Sequence, residues 1–234
     1  MNNGMERFAR QMMLPQIGED GQRRIMDASV LVVGLGGLGC PVSLYLAGAG
    51  VGCMGLADID TVSESNLHRQ LLYTEADLGK PKVEAAACRL KEVSPTTRFA
   101  LHSTGLNNEN ALEIISAYDL VIDCCDNHAT RYLIDDVCAE LGKPWIYGAI
   151  SGFDGLVSCF TSDSTVRYSD LYPERDDLSA SGAASGGVIG PTPGVIGSIE
   201  AAEALKILTG MKPALAGKLL TMNLLTMEFQ NIEL

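Results

Sequence analysis

Apolar residues along this chain fall in short clusters that change period, and the changes mark the expected elements. Ser29–Gly34 (SVLVVG) is a β-branched run closed by glycine, and the residues from there to Gly50 are small and apolar at helical spacing, which predicts strand, tight loop and helix. Gly52–Asp58 predicts a second strand ending in Asp58-Ile59-Asp60. Lys82–Glu92 has helical composition, with Pro81 placed at its first turn. A βαβ unit therefore opens the chain.

The alternation continues with a strand around Arg98–His102, a helix around Asn108–Ala117, a strand at Asp119–Asp123, a helix around Asn127–Leu141 and a strand at Pro144–Ile150. Such alternation predicts an α/β fold, Rossmann-like, with a mostly parallel sheet and helices on both faces. After Gly152 the period changes. Phe153–Thr161 follows a turn, and Leu219–Asn223 with Leu225–Gln230 reads as a final hairpin, so antiparallel strands are expected in the C-terminal half. Ser162–Pro193 shows no convincing period, and its Ser179–Gly187 stretch of Ser, Ala and Gly reads as mobile. Gly194–Thr209 predicts an amphipathic helix with Ile199, Ala202, Leu205 and Ile207 on or near its buried stripe and Gly210 past its end.

With 234 residues, 47% of them hydrophobic, the chain can bury a full core as one domain. A formal charge of −12 argues against nucleic acid, whose affinity for proteins rests on Lys and Arg neutralising phosphates. No apolar run reaches the roughly 20 residues that a bilayer requires, and Met1–Arg10 lacks a signal-peptide core, so a soluble cytoplasmic protein is expected. The seven cysteines contain no Cys-x-x-Cys pair. Most lie in apolar stretches and are expected as reduced core residues.

Gly34, Gly36 and Gly39 fit G-x-G-x-x-G between a predicted strand and helix, where glycines admit phosphate to a helix N-terminus. NAD, FAD and ATP sites all use this pattern, and Asp58 or Asp60 could hold a ribose in any of them; packing alone is a further reading of the glycines. Ser65-Asn66-Leu67-His68-Arg69-Gln70, Lys82 and the strand end Asp123-Cys124-Cys125-Asp126-Asn127 go further. Hydride transfer has no need of them. Attack at an α-phosphorus does, because charge grows on the phosphate oxygens and on departing pyrophosphate, so Arg69 and Lys82 are candidates for a cationic clamp and Asp126 for Mg²⁺. Taken singly, Arg69 and Lys82 also fit ordinary surface charges, and Asp126 fits a helix N-cap.

The assembled series closely resembles the ThiF/MoeB/HesA family, bacterial relatives of ubiquitin-activating enzymes. The resemblance spans nearly the whole chain: Arg7-x-x-Arg10-Gln11, the Gly34–Gly39 loop with Cys40, Asp58-x-Asp60, Ser65–Gln70, Gly79-Lys80-Pro81-Lys82, Asp126-Asn127, and Gly190-Pro191 leading into Gly194–Gly210. It implies one adenylating domain over residues 1–234, with a nucleotide-binding part at about 28–150 and a carrier-binding sheet and crossover loop at about 151–234. It implies that Gly37, Asp58, Ser65–Arg69, Lys82 and Asp126-Asn127 contact ATP, with Asp126 close to Mg²⁺. It also implies a homodimer in which Arg10 reaches the neighbouring nucleotide site. The implied reaction is attack by the C-terminal Gly-Gly carboxylate of a ubiquitin-like sulfur carrier (ThiS or MoaD type) on ATP, giving an acyl-adenylate and pyrophosphate in thiazole or molybdopterin synthesis.

Two departures from the family pattern shape further expectations. Where many relatives carry a zinc-binding Cys-Tyr-x-Cys-Leu segment, this chain reads Arg167-Tyr168-Ser169-Asp170-Leu171, so no zinc is expected, and an Arg167–Asp170 salt bridge could stand in its place. Relatives that bind their carrier covalently use a cysteine before the Gly-Pro motif, where the nearest stretch here is Gly182-Ala183-Ala184-Ser185. Ser162–Pro193 holds no thiol. Catalysis is therefore expected to stop at the adenylate, with a separate sulfur donor acting on it and with Cys125 and Cys159 as the residual thiols to examine. An NAD-dependent oxidoreductase, a non-catalytic dimeric scaffold and adenylation of a small-molecule or peptide carboxylate are the alternatives; NADH binding without ATP binding would favour the first.

Overall fold

A computed structural model describes residues 4–180 and 186–234. Eight strands form one sheet: β1 (Ser29–Val33), β2 (Cys53–Ala57), β3 (Arg98–His102), β4 (Leu120–Asp123), β5 (Trp145–Ser151), β6 (Asp154–Phe160), β7 (Lys218–Asn223) and β8 (Glu228–Glu233). Their order is β3-β2-β1-β4-β5-β6-β7-β8. Pairs from β3 to β5 are parallel and those from β5 to β8 antiparallel, which matches the α/β, mostly parallel architecture expected from the sequence.

The helices are α1 (Ala9–Met12), α2 (Gly18–Asp27), α3 (Gly39–Ala49), α4 (Lys82–Val93), α5 (Ala111–Ser116), α6 (His128–Leu141), α7 (Tyr168–Leu171), α8 (Arg175–Ala180) and α9 (Pro191–Thr209). Side chains of a strand alternate between faces, and β1 shows the consequence. Val30 and Val32 join a core with Leu46 of α3, Leu90 of α4 and Ile196 of α9, while Leu31 and Val33 join a second core with Ile115 of α5 and Tyr132 of α6. Both faces are thus covered, which is why the central strands β1, β2 and β4 are largely apolar, whereas the edge strand β3 carries Arg98 and His102. Among the described residues no helix is long and apolar enough to cross a membrane.

Several boundaries differ from the sequence reading. The polar segment α2 was not expected as a helix; it buries little besides Ile25 and Gln22, whose amide donates to the Ala49 carbonyl at 3.0 Å. Ser162–Pro193 contains α7, α8 and the first turn of α9, with Pro191 at the start of that helix, where its missing N–H costs nothing. Of the stretch read as mobile, Ser179 and Ala180 end α8, and 181–185, including the whole Gly182–Ser185 match, lie outside the described residues. Ala202 is exposed. The buried face of α9 instead carries Thr192, Pro193, Ile196, Gly197, Glu200, Ala201 and Ala204, because apolar residues run almost all round this helix and hide its true stripe. The last strand starts at Glu228 rather than Leu225, since Asn223 Oδ1 accepts from the Leu225 and Thr226 N–H groups at 2.9 and 3.0 Å and turns the chain there.

Candidate functional site

Register places the chemistry. Val33, at the end of β1, pairs with Ala57 of β2 on one side and Asp123 of β4 on the other, so the loops that follow all three strands open at one sheet edge. Connections leave β1 in opposite directions there, the position at which open α/β sheets form a ligand crevice.

In the loop after β1, Gly34 has φ +92°, and a Cβ on it would meet the Cys124 carbonyl oxygen at 2.5 Å. A Cβ on Gly39 would collide with the Gly34 carbonyl. These two glycines let backbone segments touch. Gly37 differs: its Cβ position lies 3.1 Å from Pro193 and 3.8 Å from Arg69 Cδ, so it marks where the loop, Arg69 and the start of α9 meet. Among the described residues, the N–H groups of Gly36, Gly37, Leu38 and Gly39 donate to no acceptor, whereas that of Leu35 donates to Asp58 Oδ2 at 2.7 Å. They lead into the N-terminal end of α3, which begins at Gly39 and where partial positive charge favours phosphate.

Asp58 is held by that bond and by the Asp60 N–H at 2.8 Å, and burial pushes its carboxyl above the usual carboxylate range. Lys82, 5% exposed, sits 2.8 Å from Asp60 and 3.9 Å from Asp58. It is therefore an already paired cation. Arg69 makes no ion pair among the described residues; its Nη1 donates to the Ser65 carbonyl at 2.9 Å and lies 2.8 Å from His68 Nε2. Asn66 Oδ1 accepts from the Ser63 N–H at 3.2 Å, Leu67 is half-buried, and Gln70 is buried with Oε1 unpartnered, its amide nitrogen facing Gly36. Ser65 and His68 are exposed.

Asp126 is exposed in the turn after β4 and makes no side-chain bond among the described residues. It is Asn127, not Asp126, that caps α6, accepting from the Thr130 N–H at 2.9 Å. No group of three or more His, Cys, Asp or Glu among the described residues could by itself hold a metal ion. A lone free carboxylate still fits Mg²⁺, which keeps waters and takes its remaining ligands from substrate phosphates. Arg10 lies exposed on α1 with no ion pair among the described residues.

Neither residual thiol is poised as a nucleophile. Cys125 Sγ donates to Asp123 Oδ1 at 2.6 Å and Cys159 Sγ to Glu203 Oε2 at 3.7 Å; burial pushes both thiols well above their usual range, so they stay protonated. The anticipated Arg167–Asp170 ion pair is not formed. Asp170 accepts from the Arg167 backbone N–H at 2.8 Å, capping α7, while the Arg167 guanidinium lies 3.0 Å from Asp135 and 2.8 Å from Asp136 on α6; Arg175 also reaches Asp136, at 2.5 Å. A guanidinium fork reaching two adjacent carboxylates prefers them to a neighbour already satisfied by its own helix.

Sequence reasoning passed over a buried polar group beneath the Asp126 turn. Asp123 and Glu200 are wholly buried and Arg131 nearly so, and Arg131 Nε lies 3.1 Å from Asp123 Oδ2. The signal was present as charges inside otherwise apolar strand and helix runs.

The family model for "ThiF family" matches residues 8–234. The chain belongs to the ThiF family. Among members of this family, a sulfur carrier protein adenylyltransferase of Thermus thermophilus is 46% identical, over 97% of this chain and 86% of its own length. The Drosophila grimshawi adenylyltransferase and sulfurtransferase MOCS3 is 41% identical over the whole of this chain, which spans only 52% of MOCS3. Crystalline PaaA shares the fold at a TM-score of 0.85 and 22% identity, covering 100% of this ThiF-family chain and 74% of PaaA.

Proposed function

We propose that the protein is an ATP-dependent adenylyltransferase acting on the C-terminal Gly-Gly carboxylate of a ubiquitin-like sulfur carrier of ThiS or MoaD type, in thiazole or molybdopterin synthesis in the cytoplasm. The observation that carries this reading is the set of four N–H donors from Gly36 to Gly39, free among the described residues, beside Arg69, which makes no ion pair among them, an anion cradle at the end of the sheet. Two ThiF-family relatives named as adenylyltransferases, one of them acting on a sulfur carrier, support it.

The carrier carboxylate is ionised at neutral pH and needs no general base. Its oxygen bonds to the α-phosphorus while the bond to the bridging oxygen breaks, and that electron pair leaves with pyrophosphate. Arg69 and the α3 N-terminus counter the charge that grows on the phosphate oxygens. Asp58 and Asp60 receive the ribose, while Lys82, tethered to both, faces the triphosphate. Ser65, Asn66, Leu67, His68, Gln70 and Asn127 line the nucleotide. Mg²⁺ held at Asp126 would neutralise triphosphate charge. Arg10 serves the neighbouring site in a homodimer. Residues of about 28–150 bind the nucleotide and those of about 151–234 receive the carrier. With the half-buried Cys125 and the buried Cys159 both held protonated, the adenylate passes to a separate sulfur donor.

Intact-mass spectrometry of a Gly-Gly carrier incubated with the protein, ATP and Mg²⁺ tests the reading. A carrier gaining one AMP, and a carrier lacking its last glycine gaining none, is the expected result. Equal labelling of both would overturn the carboxylate assignment.

A further inference from the structure

Asp126 is the one exposed carboxylate in the Cys124–Asn127 turn, and its side chain makes no hydrogen bond or ion pair among the described residues. The residues around it are fixed from below. Asp123 Oδ1 accepts from the Cys125 N–H at 3.0 Å and from Cys125 Sγ at 2.6 Å. Arg131, one turn into α6, aims Nε at Asp123 Oδ2 (3.1 Å) and Nη2 at the carbonyls of Cys125 (2.8 Å) and Gly148 (3.3 Å), with its guanidinium 5.3 Å from the Tyr147 ring centre. One planar fork thus ties the end of β4, the carbonyl immediately before Asp126 and the neighbouring strand β5 into one body.

We propose that Arg131, through Asp123 and the Cys125 carbonyl, is a positioning residue that presents the Asp126 carboxylate in its working place. The proposal rests on the adenylation reading of Asp126. A buried ion pair is a poor source of net stability, because desolvating two charges offsets most of their attraction. A geometric task accounts better for its retention: the charge of Arg131 holds two carbonyls that an apolar replacement would leave unpaired. Glu200 fits the same picture. It lies fully buried on α9 against Gly148, near Asp123 of β4 and Arg131 of α6, and neither of its oxygens has a hydrogen-bond partner among the described residues, so it must stay neutral if Arg131 is to remain with Asp123. An ionised Glu200 would compete for the same guanidinium.

A double-mutant cycle on the full chain, read by carrier-dependent ATP–pyrophosphate exchange, tests the proposal. Lysine keeps the charge and loses the fork. Arg131→Lys is expected to lower the exchange kcat by about 10- to 100-fold, with the KM for ATP changed by less than about threefold, because a misplaced group costs turnover more than binding. On the exchange remaining in Asp126→Ala, the added Arg131→Lys should cost less than about threefold. Hydrogen-exchange mass spectrometry of Arg131→Lys should show faster exchange in the Cys124–Asn127 turn with β1 and β2 unchanged. If Arg131→Lys fails to fold, Asp123→Asn, which keeps volume and removes the same tie, carries the same expectations. Wild-type turnover in the single variant, or a full loss repeated on top of Asp126→Ala, would overturn the positioning role and leave the adenylation reading standing. Absence of exchange in the wild type would overturn that reading, and this proposal with it.

Discussion

Lys82 Nζ stands 2.8 Å from Asp60 and 3.9 Å from Asp58, so this candidate for the phosphate clamp is buried and charge-balanced before any nucleotide arrives. Arg69, with no such partner among the described residues, is the cation free to respond to an incoming phosphate.

The two cations should therefore fail differently. Lys82→Ala removes a buried charge and leaves the largely buried Asp58 without its counter-ion, so both exchange activity and melting temperature should drop, the former by about 100-fold. Arg69→Ala should lose comparable activity while melting within about 2 °C of the wild type, as expected of an unpaired charge that is not buried. Exchange kinetics and calorimetry on both variants check this.

The glycines of the phosphate loop separate in the same way. Gly39→Ala drives a methyl group into the Gly34 carbonyl and should yield little folded protein. Gly37→Ala meets the Pro193 ring at 3.1 Å and Arg69 Cδ at 3.8 Å, with no backbone closer, so it should fold and bind ATP about tenfold more weakly by equilibrium titration, since the methyl group crowds the cradle.

That distinction was only partly legible in the sequence, where Gly34, Gly36 and Gly39 read as one G-x-G-x-x-G and Gly37 was set apart by the family resemblance alone. The alternation of strands and helices and the mostly parallel sheet were legible, because strands buried on both faces are apolar without interruption, as in Val30–Val33, whereas the order of the strands was not read from the sequence. What failed depends on tertiary context. Apolar residues surround α9, so Ala202 looked as buried as Ala201, and α2 hides a single buried isoleucine in a polar segment. Arg131 and Glu200 were missed because their distance along the chain conceals that α6 and α9 bring both to Asp123.

Glu200 gives a pH prediction. Its carboxyl is buried, which raises its folded pKa well above 4.5, so the folded state holds a proton that the unfolded chain releases between those values. That contribution is fully present below about pH 4.5 and is lost as pH rises toward the folded pKa. Melting temperatures of Glu200→Gln should exceed those of the wild type increasingly from mildly acidic to alkaline pH; parallel curves would remove Glu200 from the account.

The Arg167, Arg175, Asp135 and Asp136 network holds α7 and α8 to α6. Arg167→Ala leaves the almost fully buried Asp135 short of a partner and should cost about 1–3 kcal/mol in urea denaturation, whereas Asp136→Ala, half-exposed, should cost under about 1 kcal/mol and respond to salt. Treatment with a chelator should leave the melting temperature unchanged if the ion pairs of Arg167 and Arg175 suffice for this connection.

The most direct test of the whole account is ATP–pyrophosphate exchange driven by a carrier ending in Gly-Gly, measured for the wild type and Asp126→Ala. Exchange that requires the carrier and falls by about 100-fold or more in the variant is predicted, from loss of the carboxylate proposed to hold Mg²⁺ beside the triphosphate. Exchange that proceeds without any carrier, or that survives Asp126→Ala unchanged, would contradict it.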